Sequence, residues 1–291
     1  CGTSTAASLP CMFSHLGRDG YDSRKADYEN LLDLLQRAGL AVLWIDNQSG
    51  CKSLCARVPH VDIPVNADPA LCSGGECLDE ILLRGLDARI DALPAERRAR
   101  GIVVVLHQMG SHGPAYAKRS PQAIKRFAPE CTSAALQECS RESVVNAYDN
   151  TILYTDHVLA AAIRWLEQRA AAPAAAADPQ TAAKGPANAS GVNDGALIYV
   201  SDHGESLGEN NLYLHGLPYA IAPDVQKQVP WVGWFTPGFE QRSGIGNQCA
   251  AGLSATPVSH DNLFHTVLGL MGVQTALYQR ALDVYAPCAA R

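Results

Sequence analysis

Three uninterrupted apolar runs constrain the fold of this chain most: Leu40-Ala41-Val42-Leu43-Trp44-Ile45, Gly101-Ile102-Val103-Val104-Val105-Leu106 and Ala196-Leu197-Ile198-Tyr199-Val200. A strand with one wet face alternates apolar and polar residues. A strand that is apolar throughout needs both faces of its sheet covered. Segments with helical spacing lie between the runs. Tyr28 to Arg37 puts Leu31, Leu32, Leu34 and Leu35 on its apolar side, and Gly39 ends it as a C′ residue. Ile81 to Leu93 reads as a second amphipathic helix. Glu142 to Arg169 reads as a long helix, repeating Val145, Tyr148, Ile152, Thr155, Leu159, Ala162 and Leu166. Pro230 to Phe235 reads as a fourth strand and Asp261 to Met271 as a further helix. This alternation predicts an α/β chain, with a mostly parallel central sheet and helices on both faces.

The net charge is −6, which leaves no electrostatic footprint for nucleic acid. No apolar run reaches the ~18 to 20 residues that cross a bilayer. Residue 1 is a Cys in a Gly/Ser/Thr-rich segment without a basic start, so no signal peptide is expected, and the abrupt start predicts a fragment or an excised domain. Residues 170–195 are Ala/Pro-rich and bury little, which predicts a mobile surface loop. That loop is not read as a boundary, because the strand–helix pattern resumes after it. Ten cysteines are many for a reducing cytosol. Cys1/Cys11, Cys51/Cys55, Cys72/Cys77 and Cys131/Cys139 form close local pairs, with Cys249 and Cys288 left over. The ten allow roughly 945 connectivities. Local disulfides and an oxidising compartment are the expectation, since Cys51-x3-Cys55 finds no second pair with a zinc-ribbon spacing.

The polar loops after the strands carry the chemistry. The third run ends in Ser201-Asp202-His203-Gly204-Glu205-Ser206-Leu207-Gly208-Glu209-Asn210, with His215 five residues on. The carboxyl edge of an open α/β sheet is where ligands bind. Carboxylate and imidazole together suit a borderline metal such as zinc. The alternative is an N-cap Asp beside a satisfied His. The second run leads into His107-Gln108-Met109-Gly110-Ser111-His112-Gly113-Pro114, whose two histidines are structural or belong to the same site. Asp46-Asn47-Gln48-Ser49-Gly50-Cys51-Lys52 follows the first run. There Lys52 either meets a phosphate or is a solvated loop lysine. Near the start, a helix beginning around Ser4 would aim its amides at an anion. Its Ser4 or Thr5 hydroxyl is then either a helix cap or a metal-activated nucleophile. A carboxylate, imidazoles and a hydroxyl on one sheet edge suggest zinc-assisted attack on phosphorus, with His112 or His215 as general acid.

Four segments carry a resemblance: Cys-Gly-Thr-Ser-Thr-Ala at 1–6, Pro-Cys-Met-Phe-Ser at 10–14, His-Gln-Met-Gly-Ser-His-Gly-Pro at 107–114, and Ser-Asp-His-Gly-Glu-Ser-Leu-Gly-Glu-Asn at 201–210. In this order they resemble the lipid A phosphoethanolamine transferases, the mobile colistin-resistance enzymes among them, over nearly the whole chain. The resemblance implies an alkaline-phosphatase-like fold and a single periplasmic catalytic domain over 1–291, on the periplasmic face of the inner membrane. It implies Thr5 as the nucleophile that becomes phosphoethanolamine-modified, and Thr5, Asp202 and His203 as zinc ligands. Lys52, Glu205, His112 and His215 match the phosphoethanolamine pocket, where a second zinc has been proposed, and His107 opens the same motif as a further substrate contact.

The implied reaction is ping-pong. Thr5 takes phosphoethanolamine from phosphatidylethanolamine, releases diacylglycerol and passes the group to lipid A, which confers polymyxin and colistin resistance. The catalytic domain is expected to be monomeric, with the membrane anchor elsewhere in the protein. The family's remaining zinc ligand, a Glu in an upstream strand, and its transmembrane helices fall before Cys1. A phosphodiesterase-type hydrolase of the same superfamily is the runner-up, and a non-catalytic binding module comes third. A sulfatase would need a Cys-x-Pro-x-Arg or Ser-x-Pro-x-Arg nucleophile motif, which the sequence lacks.

Overall fold

The computed structural model describes residues 1–171 and 194–289. Most of the 170–195 stretch, expected to be a mobile loop, lies outside the described residues.

The first apolar run forms β1 (Ala41–Asp46), the middle of a parallel three-stranded sheet. On one side β1 pairs with β2 (His60–Asp62), and on the other with β3 (Ile102–His107). The β1–β3 register runs from Ala41 opposite Ile102 to Asp46 opposite His107, so the two carboxyl ends emerge side by side. β4 (Ala196–Val200) carries the third run and pairs antiparallel with β5 (Trp231–Phe235), from Ala196 opposite Phe235 to Val200 opposite Trp231.

Both faces of β1 are covered, as its composition requires. Val42 and Trp44 pack into a core with α1 (Thr5–Met12), α2 (Leu31–Arg37) and α5 (Asp261–Leu270), through Leu9, Leu32, Leu35 and Phe264. Ala41, Leu43 and Ile45 face the opposite core, with Ile81, Leu82, Leu86 and Ile90. Leu32, Leu35, Trp44 and Phe264 are fully buried, and each such side chain contributes about 1.5–3 kcal/mol by leaving water.

Local chemistry moves three expected boundaries. The first helix starts at Leu31 rather than Tyr28, because Asn30 caps it. The Asn30 side chain accepts from the Leu32 and Asp33 amides, and Asp33 accepts from the Asn30 amide at 2.9 Å, a reciprocal capping box. Gly39, at φ 94°, follows its C-cap as expected. The expected helix over 81–93 is split. A 3₁₀ turn at Asp79–Leu83 ends before Gly85, which sits at φ 64°, and α3 (Leu86–Asp91) begins after it. The long helix is α4 (Arg141–Ala171); of its expected stripe Thr155 and Ala162 are buried, while elsewhere burial falls one position earlier, on Val144, Ala147, Thr151, Tyr154 and Val158, leaving Ile152 exposed.

All ten cysteines are paired. The four local bridges form as expected, and Cys249 and Cys288 make the fifth. Among the described residues, no helix is long and apolar enough to cross a membrane.

Candidate active site

Three loops and the start of α1 meet at the carboxyl edge of the strands. Ser4 is the N-cap residue of α1 by position, but its side chain makes no capping bond. The preceding turn is closed instead by Ser8, whose hydroxyl accepts the Gly2 amide at 2.8 Å. Thr5 is buried, and its Oγ1 lies 3.3 Å from His203 Nε2 and 3.5 Å from Gln48 Nε2. The hydroxyl that sequence left as cap or nucleophile therefore points into the site and caps nothing.

His112, His203 and His215 form a cluster whose ligand atoms lie within 4.8 Å of one another. The three rings are held in the same way, each through Nδ1. His203 Nδ1 donates to the Gly204 carbonyl at 3.0 Å, His112 Nδ1 to the Gly113 carbonyl at 2.6 Å, and His215 Nδ1 to Glu205 Oε1 at 3.0 Å. Each bond fixes the tautomer with the proton on Nδ1 and leaves Nε2 open. Such outer bonds are what hold imidazoles for a metal or a reacting group. Glu205 Oε1 also accepts the Gly113 amide at 3.0 Å, so one carboxylate ties the 107–114 loop to the 201–215 loop. A side chain at Gly113 would collide with Leu214 and with the Tyr116 hydroxyl.

Burial sets the electrostatics. It lowers the His112 imidazole below its ordinary value. The hydrogen bond to Glu205 raises that of His215. The Tyr116 phenol is pushed far up, first by burial and then by the nearby Glu205 charge. Asp202 Oδ2 lies 3.7 Å from His203 Nε2 and is buried without a hydrogen-bond partner, as is Glu205 Oε2. An orphaned buried carboxylate oxygen costs free energy unless a cation or donor meets it.

The loop after β1 is organised by Asp46. Its Oδ1 accepts the Gln48 and Gly50 amides, and its Oδ2 accepts Trp44 Nε1 at 3.0 Å and His107 Nδ1 at 2.6 Å. Burial alone would raise this carboxyl, but the bonds from His107 and Trp44 hold it well below the usual range. Asp79, buried with its own carboxyl raised by desolvation, accepts Asn47 Nδ2, the Met109 amide and the Gly110 amide, each at 2.8 Å. It joins the loops after β1 and β3.

Of the residues singled out from sequence, the structure brings together Thr5, His112, Asp202, His203, Glu205 and His215. It puts His107 with Asp46 instead. Lys52 Nζ donates to the Ser49 carbonyl and hydroxyl, at 2.7 and 2.6 Å, on the loop that carries Gln48. Gln48 and Asp79 were missed. Gln48 had a signal, since it lies in the polar loop after β1 already noted for Lys52. Asp79 had none, because nothing local marks a carboxylate that serves amides thirty residues away.

Comparison with known proteins gives the family. The sulfatase family model matches residues 1–173 and 190–273. The soluble domain of lipooligosaccharide phosphoethanolamine transferase A from Neisseria meningitidis superposes with a TM-score of 0.87 at 42% identity, covering 100% of this chain and 80% of that domain. The chain belongs to the sulfatase family and, within it, to the phosphoethanolamine transferases. Phosphoethanolamine transferase EptA of Salmonella typhimurium (strain LT2) is 46% identical over 290 residues, which is 99% of this chain and 48% of that protein. Phosphatidylethanolamine transferase Mcr-1 of Escherichia coli is 39% identical over 280 residues, 94% of this chain and 46% of that protein. The chain thus spans about half the length of the curated relatives it matches. The integral membrane form of the Neisseria protein matches with the same score and identity, and this chain covers 50% of it.

The alkaline-phosphatase-like α/β fold expected of a phosphoethanolamine transferase is the one observed. The donor set also fits a metal: three imidazoles held through Nδ1, an orphaned Asp202 oxygen and the Thr5 hydroxyl are the nitrogen and oxygen ligands zinc takes.

Proposed function

We propose that residues 1–291 act as one catalytic domain of a phosphoethanolamine transferase, with Thr5 as the covalent carrier. The observation that carries this reading is Thr5 Oγ1, buried at the start of α1 and 3.3 Å from His203 Nε2, beside two further oriented imidazoles. The Thr5 oxygen attacks the phosphorus of phosphatidylethanolamine. An oxygen–phosphorus bond forms, and the bond to the diacylglycerol oxygen breaks. The Thr5 proton passes to an open Nε2 of the histidine cluster, and the same cluster protonates the departing oxygen, giving diacylglycerol. An oxygen of a lipid A phosphate then attacks the same phosphorus, and Thr5 leaves with a proton restored. Glu205 holds His215 for this exchange, and Lys52 stands on the loop whose Gln48 reaches Thr5. Thr5, Asp202 and His203 are the residues that would hold zinc, which when bound lowers a hydroxyl's pKa and neutralises charge developing on phosphoryl oxygens.

The reading places the domain at the periplasmic face of the inner membrane, as a monomer acting on two lipids. The five disulfides support an oxidising compartment. An ammonium group added to lipid A reduces its negative charge, which weakens binding of cationic polymyxins.

Intact-mass analysis after incubation with phosphatidylethanolamine tests this. A phosphoethanolamine adduct on Thr5 is expected. Thr5→Ala should abolish it, and Asp202→Ala should lose both the adduct and the zinc found by elemental analysis. Rapid release of free phosphoethanolamine to water, with no transfer to lipid A, would make the chain a hydrolase of the same family instead.

A further inference from the structure

The chain between His215 and Lys227 leaves the site, reaches the surface and returns. Both ends are fastened to site segments. Thr3 Oγ1 donates to the Leu217 carbonyl at 2.5 Å. The Leu217 amide donates to Gln226 Oε1 at 3.4 Å, and Gln226 Nε2 bonds Ser206 Oγ at 2.9 Å and the Leu214 carbonyl at 3.2 Å. The Gly204 amide donates to the Gln226 carbonyl at 3.1 Å. Ala222 is buried and anchors the middle, with its amide on the Pro218 carbonyl.

The tip does the opposite of what a surface loop normally does. Tyr219, Ile221 and Val225 are exposed at 38, 72 and 42%, three of the nine exposed large hydrophobics among the described residues, within seven consecutive positions. Ile221 is the most exposed of the nine. The Arg18 guanidinium lies 4.3 Å over the Tyr219 ring and Lys227 Nζ lies 5.5 Å from it. Both cations are already paired, Arg18 with Asp19 at 3.0 Å and Lys227 with Asp224 at 3.3 Å. The patch is therefore an apolar tip rimmed by plus–minus pairs, with no net charge of its own.

The geometry points to the 217–225 loop as the surface by which this domain rests on a bilayer of zwitterionic ethanolamine phospholipid. The inference rests on the lipid substrates of the proposed function. Three observations select this occupant. The loop is continuous with the site, since it begins two residues after His215 and closes on Gly204. Its rim of paired opposite charges matches a headgroup that itself carries a phosphate and an ammonium, whereas a strongly anionic partner would call for unpaired cations. An aromatic ring clasped by cations beside exposed aliphatic side chains is the composition found at membrane interfaces. A second copy or another protein is disfavoured by area, because stable protein interfaces bury about 800 Å² per partner and three side chains on one short loop do not supply that.

Co-sedimentation with vesicles of phosphatidylethanolamine, with a minority of phosphatidylglycerol to keep them lamellar, tests the surface. The chain is expected to bind. Ile221→Asp should weaken the partitioning about tenfold, the loss expected when one large aliphatic side chain no longer leaves water. Tyr219→Ser should weaken it in the same direction. Ile152→Asp, at an exposed position of α4, should leave it unchanged. With a short-chain phosphatidylethanolamine dissolved as monomers, Ile221→Asp should still form the Thr5 adduct at the wild-type rate. Vesicle binding that is absent, or unchanged in Ile221→Asp, overturns the inference. So does a dimer lost in Ile221→Asp without vesicle binding, which would name a second copy as the occupant. If binding depends on Ile221 but wild type forms no adduct with any donor, the surface stands and the transferase reading fails.

Discussion

Gly204 shows how closely single residues determine this site. A Cβ built there would sit 2.0 Å from the Val225 carbonyl oxygen, a backbone atom that cannot swing aside. Gly204→Ala must therefore move either the 201–206 segment, which carries Asp202, His203 and Glu205, or the 217–226 loop, which carries the apolar tip. Overpacking of this kind costs about 1–3 kcal/mol. Thermal unfolding should show a lower Tm for Gly204→Ala, with His203 and Glu205 displaced from their partners. An unchanged Tm would mean that the loop yields freely. At this scale the sequence was readable where chemistry is concentrated: Asp202, His203, Glu205 and His215 stand in one loop after a buried strand. His107 and His112 look equivalent in sequence, two histidines after one strand, and only the register shows that His107 stands opposite Asp46. Gln48 and Asp79 act only where separate loops meet, and no local pattern announces that.

Asp46 and His107 close β1 and β3 in parallel register, and their hydrogen bond is the clasp between two strands and the loops that follow. The pair carries a pH signature with a definite sign. The Asp46 carboxyl is depressed in the folded chain, so its contribution to stability is present above the ordinary carboxylate pKa of about 4. That contribution is lost as pH falls through the lower folded value. Asp46→Asn should lower the Tm near neutral pH, and the gap from wild type should narrow as the pH is taken below about 4. Melting curves across that range check it, and a gap that stays constant would assign the loss to packing. The strands themselves were legible, since an apolar hexapeptide has few alternatives to burial on both faces. Helix limits were less so. The run from Ile81 to Leu93 keeps its apolar side through Ile81, Leu82, Leu86 and Ile90, and periodicity cannot show that Gly85 breaks the backbone between them.

Across the whole molecule the disulfides fall into two classes that stabilise for different reasons. Cys249–Cys288 spans 39 residues and ties the last described segment to the helix Asn247–Gly252, beside the core of Phe235, Phe239 and Tyr285. The other four span 10, 4, 5 and 8 residues. Loop-closure entropy gives about 4 kcal/mol for the long bridge and about 2 kcal/mol for Cys51–Cys55. This difference also explains what sequence could tell. Neighbouring cysteines are held close by the chain itself, whereas Cys249 and Cys288 lie 39 residues apart and are brought together by the fold. Replacing Cys249 and Cys288 together by Ser should therefore lower the Tm more than replacing Cys51 and Cys55 together. The Cys51–Cys55 bridge closes the loop that carries Lys52, next to Gln48, so its loss should weaken Thr5 adduct formation more than stability. The two double variants, measured side by side for melting and for adduct rate, should rank in opposite orders. The same ranking in both measurements would mean that the local bridge has no particular tie to the site.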